Sequence, residues 1–179
     1  MTAETEGSLR KLKILAVVII IVMVAADLGT KAWMADLLGM APAPGVHGPF
    51  GRIEIIPGFL ALEGIYNPGV TFGLAKGQTN LILLFTVVAT LLLFVWLLAT
   101  RQPSRMLHIG LGLVIAGALG NLWDRWHWAM VRDFILFYVG DWKWPNFNVA
   151  DSCIVVGVIM ILFDEIFLRG KRERARAAA

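Results

Sequence analysis

The chain has 179 residues, of which 58% are hydrophobic and only 16% are charged. A soluble globular domain carries roughly 25% charged residues, and a disordered chain carries far fewer apolar ones. The composition therefore excludes both classes and indicates a membrane protein. A single cysteine, Cys153, excludes an internal disulfide and any cysteine-rich metal site. The formal net charge is +3, and the basic residues are clustered along the chain.

Four stretches are apolar and long enough to cross a bilayer, which takes about 20 helical residues. They are 14–35, 81–100, 106–123 and 149–167. The first stretch also has features of a cleavable signal peptide, since basic residues precede an apolar run that ends at Ala26. Because the helical pattern continues beyond Ala26, we expect this first span to be retained.

The distribution of lysine and arginine predicts the orientation of these spans. Ten of these residues lie in three short segments, 1–13, 101–105 and 168–179, whereas five lie in the two long loops, 36–80 and 124–148. Positive charge concentrates on the cytoplasmic side of membrane helices. We therefore predict that the whole chain is one all-α membrane domain with four transmembrane helices, both termini cytoplasmic and two long outer loops.

The first outer loop contains two runs of β-branched and aromatic residues, 52–56 and 59–66, separated by Pro57-Gly58. This pattern predicts a small extracytoplasmic β platform between the first and second helices. It must lie at the interface, because open sheet edges are not tolerated in lipid. The second loop is rich in tryptophan, which favours the headgroup region. We interpret these tryptophans as an interfacial belt: Trp126, Trp128, Trp142 and Trp144.

Two aspartates lie where predicted helices reach the outer face. Asp124 follows the third span and Asp151 begins the fourth, so the topology places both carboxylates at the same depth. Neighbouring carboxylates in a poorly hydrated site share a proton, and such a pair activates water for peptide hydrolysis. Asp151 is a plausible ionised member, in a first helical turn with Asn148 as N-cap. The alternative is structural, with one aspartate capping its helix and the other paired with Arg125.

Four sequence blocks resemble those of the lipoprotein signal peptidase (signal peptidase II) family, in the family's order and over positions 27–152. Asp27-Leu28-Gly29-Thr30-Lys31 resembles D-x-x-[ST]-K, and Tyr66-Asn67-Pro68-Gly69-Val70-Thr71-Phe72-Gly73 resembles Y-N-x-G-A-A-F. Gly117–Arg125 with Val131–Ile135 resembles G-N-x-x-D-R…V-x-D-F, and Phe147–Ser152 resembles F-N-x-A-D.

The resemblance implies a membrane aspartic endopeptidase that cuts diacylglyceryl-modified prolipoproteins just before the lipidated cysteine. It matches Asp124 and Asp151 to the family's catalytic pair, with no metal or cofactor. It also implies a bacterial cytoplasmic membrane protein with its active site at the outer, periplasmic face. Expected partners are the lipidated prolipoprotein and membrane lipids, without nucleic acid. We expect a monomer, because one chain supplies every residue that the mechanism needs.

Further positions match residues that bind substrate or support the site in this family: Asp27, Lys31, Asn67, Gly69, Asn121, Arg125, Asp133, Asn148 and Ala150. Asp27 and Lys31 are spaced i, i+4, so they are expected to pair, either within the site or simply to orient a helix end. Asn67 is equally open to a local explanation, as the first residue of an Asn67-Pro68-Gly69 turn.

The chain departs from the family pattern at four positions. Val70 and Thr71 replace alanines of the second block. Leu28 stands where glutamine is common, and Ala129 stands where glycine is frequent. None of these changes touches the matched catalytic pair, so they bear on substrate preference more than on reaction type.

Small residues along the third span predict close helix packing: Gly110, Gly112, Ala116, Gly117 and Gly120. A non-enzymatic interpretation stays open from the residues alone, namely a small transporter or assembly scaffold that uses the same carboxylates. Transport sites usually lie near the bilayer midplane between repeated halves, and this sequence has no visible repeat.

Overall fold

A computed structural model describes residues 3–41, 46–69 and 79–177 of the chain. Its helices are α1 (Ala3–Leu37), α2 (Thr79–Ala99), α3 (Arg105–Trp128) and α4 (Val149–Phe163). The helical path continues from α4 without a break through a π-helical turn, Asp164–Leu168, into α5, Arg169–Ala177. Within the described residues, three helices are long and apolar enough to cross a membrane, over Glu6–Leu37, Leu81–Ala99 and Arg105–Trp128. They coincide with the first three predicted spans.

Helix α3 is the centre of the bundle, with α1, α2 and α4 all packed against it. Its glycines allow the close approach that the sequence predicted. A Cβ atom on Gly117 would lie 2.3 Å from the carbonyl oxygen of Ala150 on α4. On Gly112 it would lie 3.0 Å from the carbonyl oxygen of Ala16 on α1. The small-residue spacing is therefore a packing feature.

Outside the helices lies a four-stranded antiparallel sheet in the order β1-β2-β3-β4. Its strands are β1 (Arg52–Ile56), β2 (Leu60–Asn67), β3 (Val131–Val139) and β4 (Trp142–Lys143). The β1–β2 hairpin confirms the predicted platform. The sheet is larger than predicted, because β3 and β4 come from the second outer loop. Pairing with β3 satisfies the backbone groups along the second edge of β2, which would otherwise lack partners.

The sheet is attached to the bundle through a small apolar core at the C-terminal end of α1. Met34 of α1 packs there with Leu38 and Met40, which follow the helix, and with Tyr66 of β2 and Phe134 of β3. Strand β3 begins shortly after α3 ends, and α4 begins shortly after β4. The C-terminal end of α3, the N-terminal end of α4 and the start of β3 therefore meet at one place, close to α1.

Candidate active site

The N-terminus of α4 is closed by a capping box between Asn148 and Asp151. The Asn148 side-chain oxygen accepts from the Asp151 backbone N–H at 2.9 Å. The Asp151 carboxylate in turn accepts from the Asn148 backbone N–H at 3.2 Å. This geometry confirms Asn148 as the predicted N-cap and places the Asp151 carboxylate at the positive end of a helix dipole.

Strand pairing brings Asn148 alongside β3. The backbone N–H of Phe147 donates to the carbonyl oxygen of Ile135 at 3.1 Å, and the Ile135 N–H donates to the Phe147 carbonyl oxygen at 2.9 Å. The side-chain nitrogen Nδ2 of Asn148 then donates to Oδ1 of Asp133 at 2.8 Å. Asn148 therefore contacts two carboxylates at once, those of Asp133 and Asp151.

Asp133 is almost completely buried, with 2% of its surface exposed. Its other carboxylate oxygen accepts from the Asn67 side-chain amide at 3.0 Å. Burial, and next the charge of Asp151, raise the pKa of Asp133 to about 8, although hydrogen bonds from Asn67 and Asn148 and the charge of Lys31 oppose this rise. Asp133 therefore holds a proton at neutral pH beside Asp151, an arrangement that suits acid–base catalysis.

Asn121 connects Asp151 and Asn148 to the buried interior of the bundle. Its amide nitrogen donates to Oδ1 of Asp151 at 2.8 Å. Its oxygen accepts from Lys31 at 3.0 Å and from Asn148 at 3.1 Å. Each polar atom of the Asn121 side chain thus has a charged or amide partner, which orients Asp151 from the α3 side.

Asp124 has a different environment from the one that the sequence predicted. We expected it beside Asp151, but among the described residues no hydrogen bond or ion pair joins these two carboxylates. Asp124 is instead fully buried against Arg132, with Oδ1 2.7 Å from the guanidinium Nη2. Its Oδ2 accepts from the Arg132 backbone N–H at 3.0 Å and lies 3.5 Å from Lys31 Nζ. The structural alternative named Arg125 as its partner, and the structure places Arg132 there.

The predicted Asp27–Lys31 pair is confirmed, at 2.8 Å between Oδ2 and Nζ. Both side chains are buried. Asp27 also accepts from the Ala150 backbone N–H at 2.8 Å, in the first turn of α4. The pair therefore does more than orient one helix end, since it joins α1 to α3 through Asn121 and to α4 through Ala150.

The remaining predicted residues surround the carboxylates from the sheet side. Asn67 serves both of its proposed roles, because its oxygen accepts from the Gly69 N–H at 3.0 Å while its nitrogen reaches Asp133. Arg125 donates to the Gly69 carbonyl oxygen at 3.3 Å. The charges of Asp151, Asp133 and Asp124 all act on its guanidinium. The site is thus lined by one arginine facing several acids.

Of the four departures from the family pattern, two lie within the described residues. Leu28 faces an apolar groove between α1 and α3 that it shares with Val24 and Trp123. Ala129 ends α3 in the left-handed conformation, with φ of 54°, which explains why glycine suits this position. Val70 and Thr71 lie outside the described residues.

Sequence reasoning understated one residue of this site and missed another. Asp133 was placed only among the supporting residues, and Arg132 was not singled out. The signal was present, because nine consecutive residues from Val131 to Val139 are mostly β-branched or aromatic, which is typical of a strand. Such a strand would have brought both side chains back to the helix ends.

An apolar groove leads from Asp151 along the exposed side of α4. Its volume is about 380 Å³. Its floor includes Val155 and Val156, and a wall is formed by Trp144. Both valines and the tryptophan are exposed, at 58%, 49% and 44%. An extended apolar chain can therefore approach Asp151 from the lipid-facing side of the bundle.

In the described part of the chain, no group of three His, Cys, Asp or Glu residues is arranged to hold a metal ion.

The chain is similar to known proteins over most of its length. The family model for signal peptidase (SPase) II matches residues 19–167. A lipoprotein signal peptidase of Desulforapulum autotrophicum is 38% identical over 151 residues, covering 82% of this chain and 88% of that protein. One from Symbiobacterium thermophilum is 38% identical over 160 residues, covering 88% and 97%.

A solved structure described as a bacterial membrane enzyme superposes with a TM-score of 0.71. It is 27% identical, and the match covers 87% of this chain and 92% of that one. The matched family region contains both carboxylates and every residue that holds them. The chain therefore belongs to the signal peptidase II family and is a membrane aspartic peptidase.

Proposed function

We propose that this enzyme removes the signal peptide from diacylglyceryl-modified prolipoproteins by cutting just before the lipidated cysteine. The observation that carries the proposal is the contact of one buried asparagine, Asn148, with the carboxylates of both Asp133 and Asp151. Membership of the lipoprotein signal peptidase family supports the substrate class.

We assign the acid/base pair to Asp133 and Asp151. The sequence matched Asp124 to this role, but both oxygens of Asp124 are engaged by Arg132, and Lys31 adds a second positive charge. Asp124 is therefore the acceptor of a buried arginine contact, an environment that suits structural support more than proton transfer to a substrate. Asp133, by contrast, has a raised pKa and an acidic neighbour, as a proton-sharing pair requires.

The mechanism follows from the two environments. Asp151, at the helix N-terminus, is the base that takes a proton from water, and the resulting hydroxide attacks the scissile carbonyl carbon. Asp133 donates its proton to the carbonyl oxygen, giving a neutral tetrahedral intermediate. When the C–N bond breaks, the proton on Asp151 passes to the leaving amine, and the diol proton returns to Asp133. The pair thus ends in its starting protonation state.

The groove beside Asp151 supports a lipid-bearing substrate. Its lining is dominated by apolar side chains such as Phe147 and Val156. Helix α4 exposes valine, isoleucine and phenylalanine along the same side. A substrate that is anchored in the bilayer can therefore enter sideways, with the sheet above it.

The topology belongs to the same proposal. We place α4 and the π-helical turn that continues it, together Val149–Leu168, as the fourth transmembrane segment, because 20 uninterrupted helical residues reach across the apolar core of a bilayer. The excess of lysine and arginine at the termini and in 101–105 puts these segments in the cytoplasm. The carboxylates then lie at the outer face of the bacterial cytoplasmic membrane.

The test is cleavage of a diacylglyceryl-modified prolipoprotein by the purified protein in lipid, with the unlipidated precursor as control substrate. Asp133→Asn, Asp151→Asn and Asp124→Asn are compared with the wild type, and each variant is checked for folding by thermal unfolding. We expect no cleavage from the first two variants. We expect reduced but measurable cleavage from Asp124→Asn.

The outcomes separate the alternatives. Abolished cleavage in folded Asp124→Asn together with full cleavage in Asp133→Asn would return the catalytic role to Asp124. Equal cleavage of the lipidated and unlipidated precursors would contradict the substrate class. No cleavage by folded wild type would favour the transporter or scaffold interpretation.

A further inference from the structure

The buried contact between Arg132 and Asp124 has no part in the chemistry described above. Three donors of Arg132 meet one carboxylate: its backbone N–H at 3.0 Å, Nε at 3.2 Å and Nη2 at 2.7 Å. The Asp124 side chain is fully buried, and the Arg132 side chain is 11% exposed. This contact closes the turn from α3 to β3 across only eight residues.

The same residue also controls the strand position of Asp133. Successive side chains of a strand point to opposite faces, so anchoring Arg132 on one side directs Asp133 to the other. In addition, the carbonyl oxygen of Arg132 accepts from the Asn148 amide at 3.3 Å, and that amide also donates to Asp133. Arg132 thus fixes the backbone position of Asp133. It also helps to hold Asn148, whose side-chain amide donates a hydrogen bond to Asp133.

Electrostatics gives Arg132 a second effect. Asp124 lies 3.5 Å from Lys31 Nζ, whose charge acts on Asp133, and the Asp124 charge acts on Arg125, as do the charges of Asp133 and Asp151. An ion pair at 2.7 Å largely neutralises that charge as seen from a few ångströms away. Without the guanidinium, Asp124 adds negative charge beside two carboxylates that already share one proton.

We propose that Arg132 is a positioning residue for the reaction, which holds Asp124 as a neutralised ion pair and thereby fixes both the placement and the proton affinity of the Asp133–Asp151 pair. This proposal rests on the proposed function. The charged and titratable groups around the pair and the Asp124–Arg132 contact are Lys31 of α1, whose charge acts on Asp133, Arg125 of α3, on which both acids of the pair act, and Asp27 of α1 and Tyr66 of β2, on which the Asp124 charge acts.

The experiment measures kcat and KM on the lipidated prolipoprotein from pH 5 to pH 9, for wild type, Arg132→Gln and Arg132→Lys. We expect Arg132→Gln to lower kcat by on the order of 100-fold, since small misplacements of catalytic groups have effects of that size. Its pH profile should also move to higher pH on both sides, because an uncompensated Asp124 charge disfavours ionisation of the pair. KM should change little.

Arg132→Lys keeps the charge but loses the planar two-nitrogen contact. We therefore expect a reduced kcat with the pH profile in its wild-type position. The double variant Asp124→Asn/Arg132→Gln removes both charges, so its profile should also return to the wild-type position while kcat stays low. Arg52→Gln is the matched control, because it removes an arginine of the same sheet that pairs with two other acids, Glu54 and Glu63.

A wild-type pH profile in Arg132→Gln overturns the proposal, as does an equal shift in Arg52→Gln. Should Arg132→Gln fail to fold, the Arg132→Lys and double variants decide, because a shifted profile in both contradicts the charge argument. Failure of the proposed function is separate: it appears as wild type that does not cleave, or as Asp133→Asn that does.

Discussion

The backbone N–H of Ala150 donates a hydrogen bond to Oδ1 of Asp27 at 2.8 Å, and the two residues are 123 positions apart in sequence. This bond joins the C-terminal half of α1 to the first turn of α4. Because α4 carries Asp151 one residue later, the placement of a proposed catalytic carboxylate depends on a buried ion pair in a different helix. Several predictions about stability and activity rest on that dependence.

Lys31 stabilises this junction between α1 and α4, and its removal should lower the free energy of unfolding. Its Nζ has Asp27 at 2.8 Å and Asn121 at 3.0 Å, in a fully buried site. Lys31→Met leaves two buried carboxylates, Asp27 and Asp124, with less compensation. We expect it to lose roughly 3–5 kcal/mol of the free energy of unfolding, as when one partner of a buried ion pair is removed.

The measurement is reversible unfolding in detergent or lipid. The double variant Asp27→Leu/Lys31→Met removes both charges and should recover part of the loss. If Lys31→Met is as stable as the wild type, the buried ion pair does not support the junction.

Gly120 gives Asp27 the room to reach α4. A Cβ atom at Gly120 would lie 2.4 Å from Oδ2 of Asp27, which is too close for a non-bonded contact of a Cβ atom. Gly120→Ala should therefore displace the carboxylate and lower the free energy of unfolding by about 1–3 kcal/mol, as overpacking usually does. Cleavage should fall with it.

Gly29→Ala is the matched control, because a Cβ atom there meets nothing within 4 Å. In a helix this change should be neutral or stabilising by up to about 1 kcal/mol. Equal effects of the two substitutions, measured by thermal unfolding, would show that the contact with Asp27 does not set the stability.

The raised pKa of Asp133 predicts a pH dependence of stability. The unfolded carboxyl ionises near its ordinary value of 3.8 and the folded one near 8, mainly because of burial and then because of the Asp151 charge. Between these values the folded state binds more protons than the unfolded state. The contribution of Asp133 to stability is therefore greatest at acidic pH and is lost as the pH rises toward 8.

Asp133→Asn should remove this slope, since the amide mimics the protonated acid. We expect the melting temperature of the variant to exceed that of the wild type at pH 8 and to approach it near pH 4. Parallel melting curves for the two proteins from pH 4 to pH 9 would contradict the protonated state of Asp133.

Replacing Ala129 at the end of α3 by glycine should increase the stability of the protein. Its φ of 54° lies in the left-handed region, which costs a non-glycine residue about 1 kcal/mol. Ala129→Gly should therefore raise the free energy of unfolding by a few tenths to about 1 kcal/mol. Ala118→Gly, in the interior of the same helix, should instead lower it by about 1 kcal/mol. Thermal unfolding of both variants checks the opposite signs.

The groove beside Asp151 predicts a substrate effect without a folding effect. Val156→Trp would fill part of a groove of about 380 Å³. A misfit in an apolar pocket commonly alters substrate binding by tenfold or more. We therefore expect KM for the lipidated substrate to rise roughly tenfold.

Val158→Trp is the control, because Val158 is also exposed on α4, at 40%, but does not line the groove. Steady-state kinetics of the two variants should differ while their melting temperatures agree. Equal KM values would place the substrate elsewhere.

Local features of this protein were readable from sequence because they depend on neighbours a few residues away. Apolar length predicted the first three membrane helices, and the i, i+4 spacing predicted the Asp27–Lys31 pair. The N-cap at Asn148 and the first hairpin likewise follow from the local preferences of asparagine, proline and glycine.

The acid that we propose as the partner of Asp151 could not be predicted in this way. Placing helix ends at one depth made Asp124 the expected neighbour, but depth alone does not say which carboxylate faces which. That choice depends on β3 joining the sheet beside β2, which turns Asp133 toward Asn148 and leaves Asp124 to Arg132. A strand's partner is selected by backbone hydrogen bonding and packing over the whole domain, so only the tertiary structure decided it.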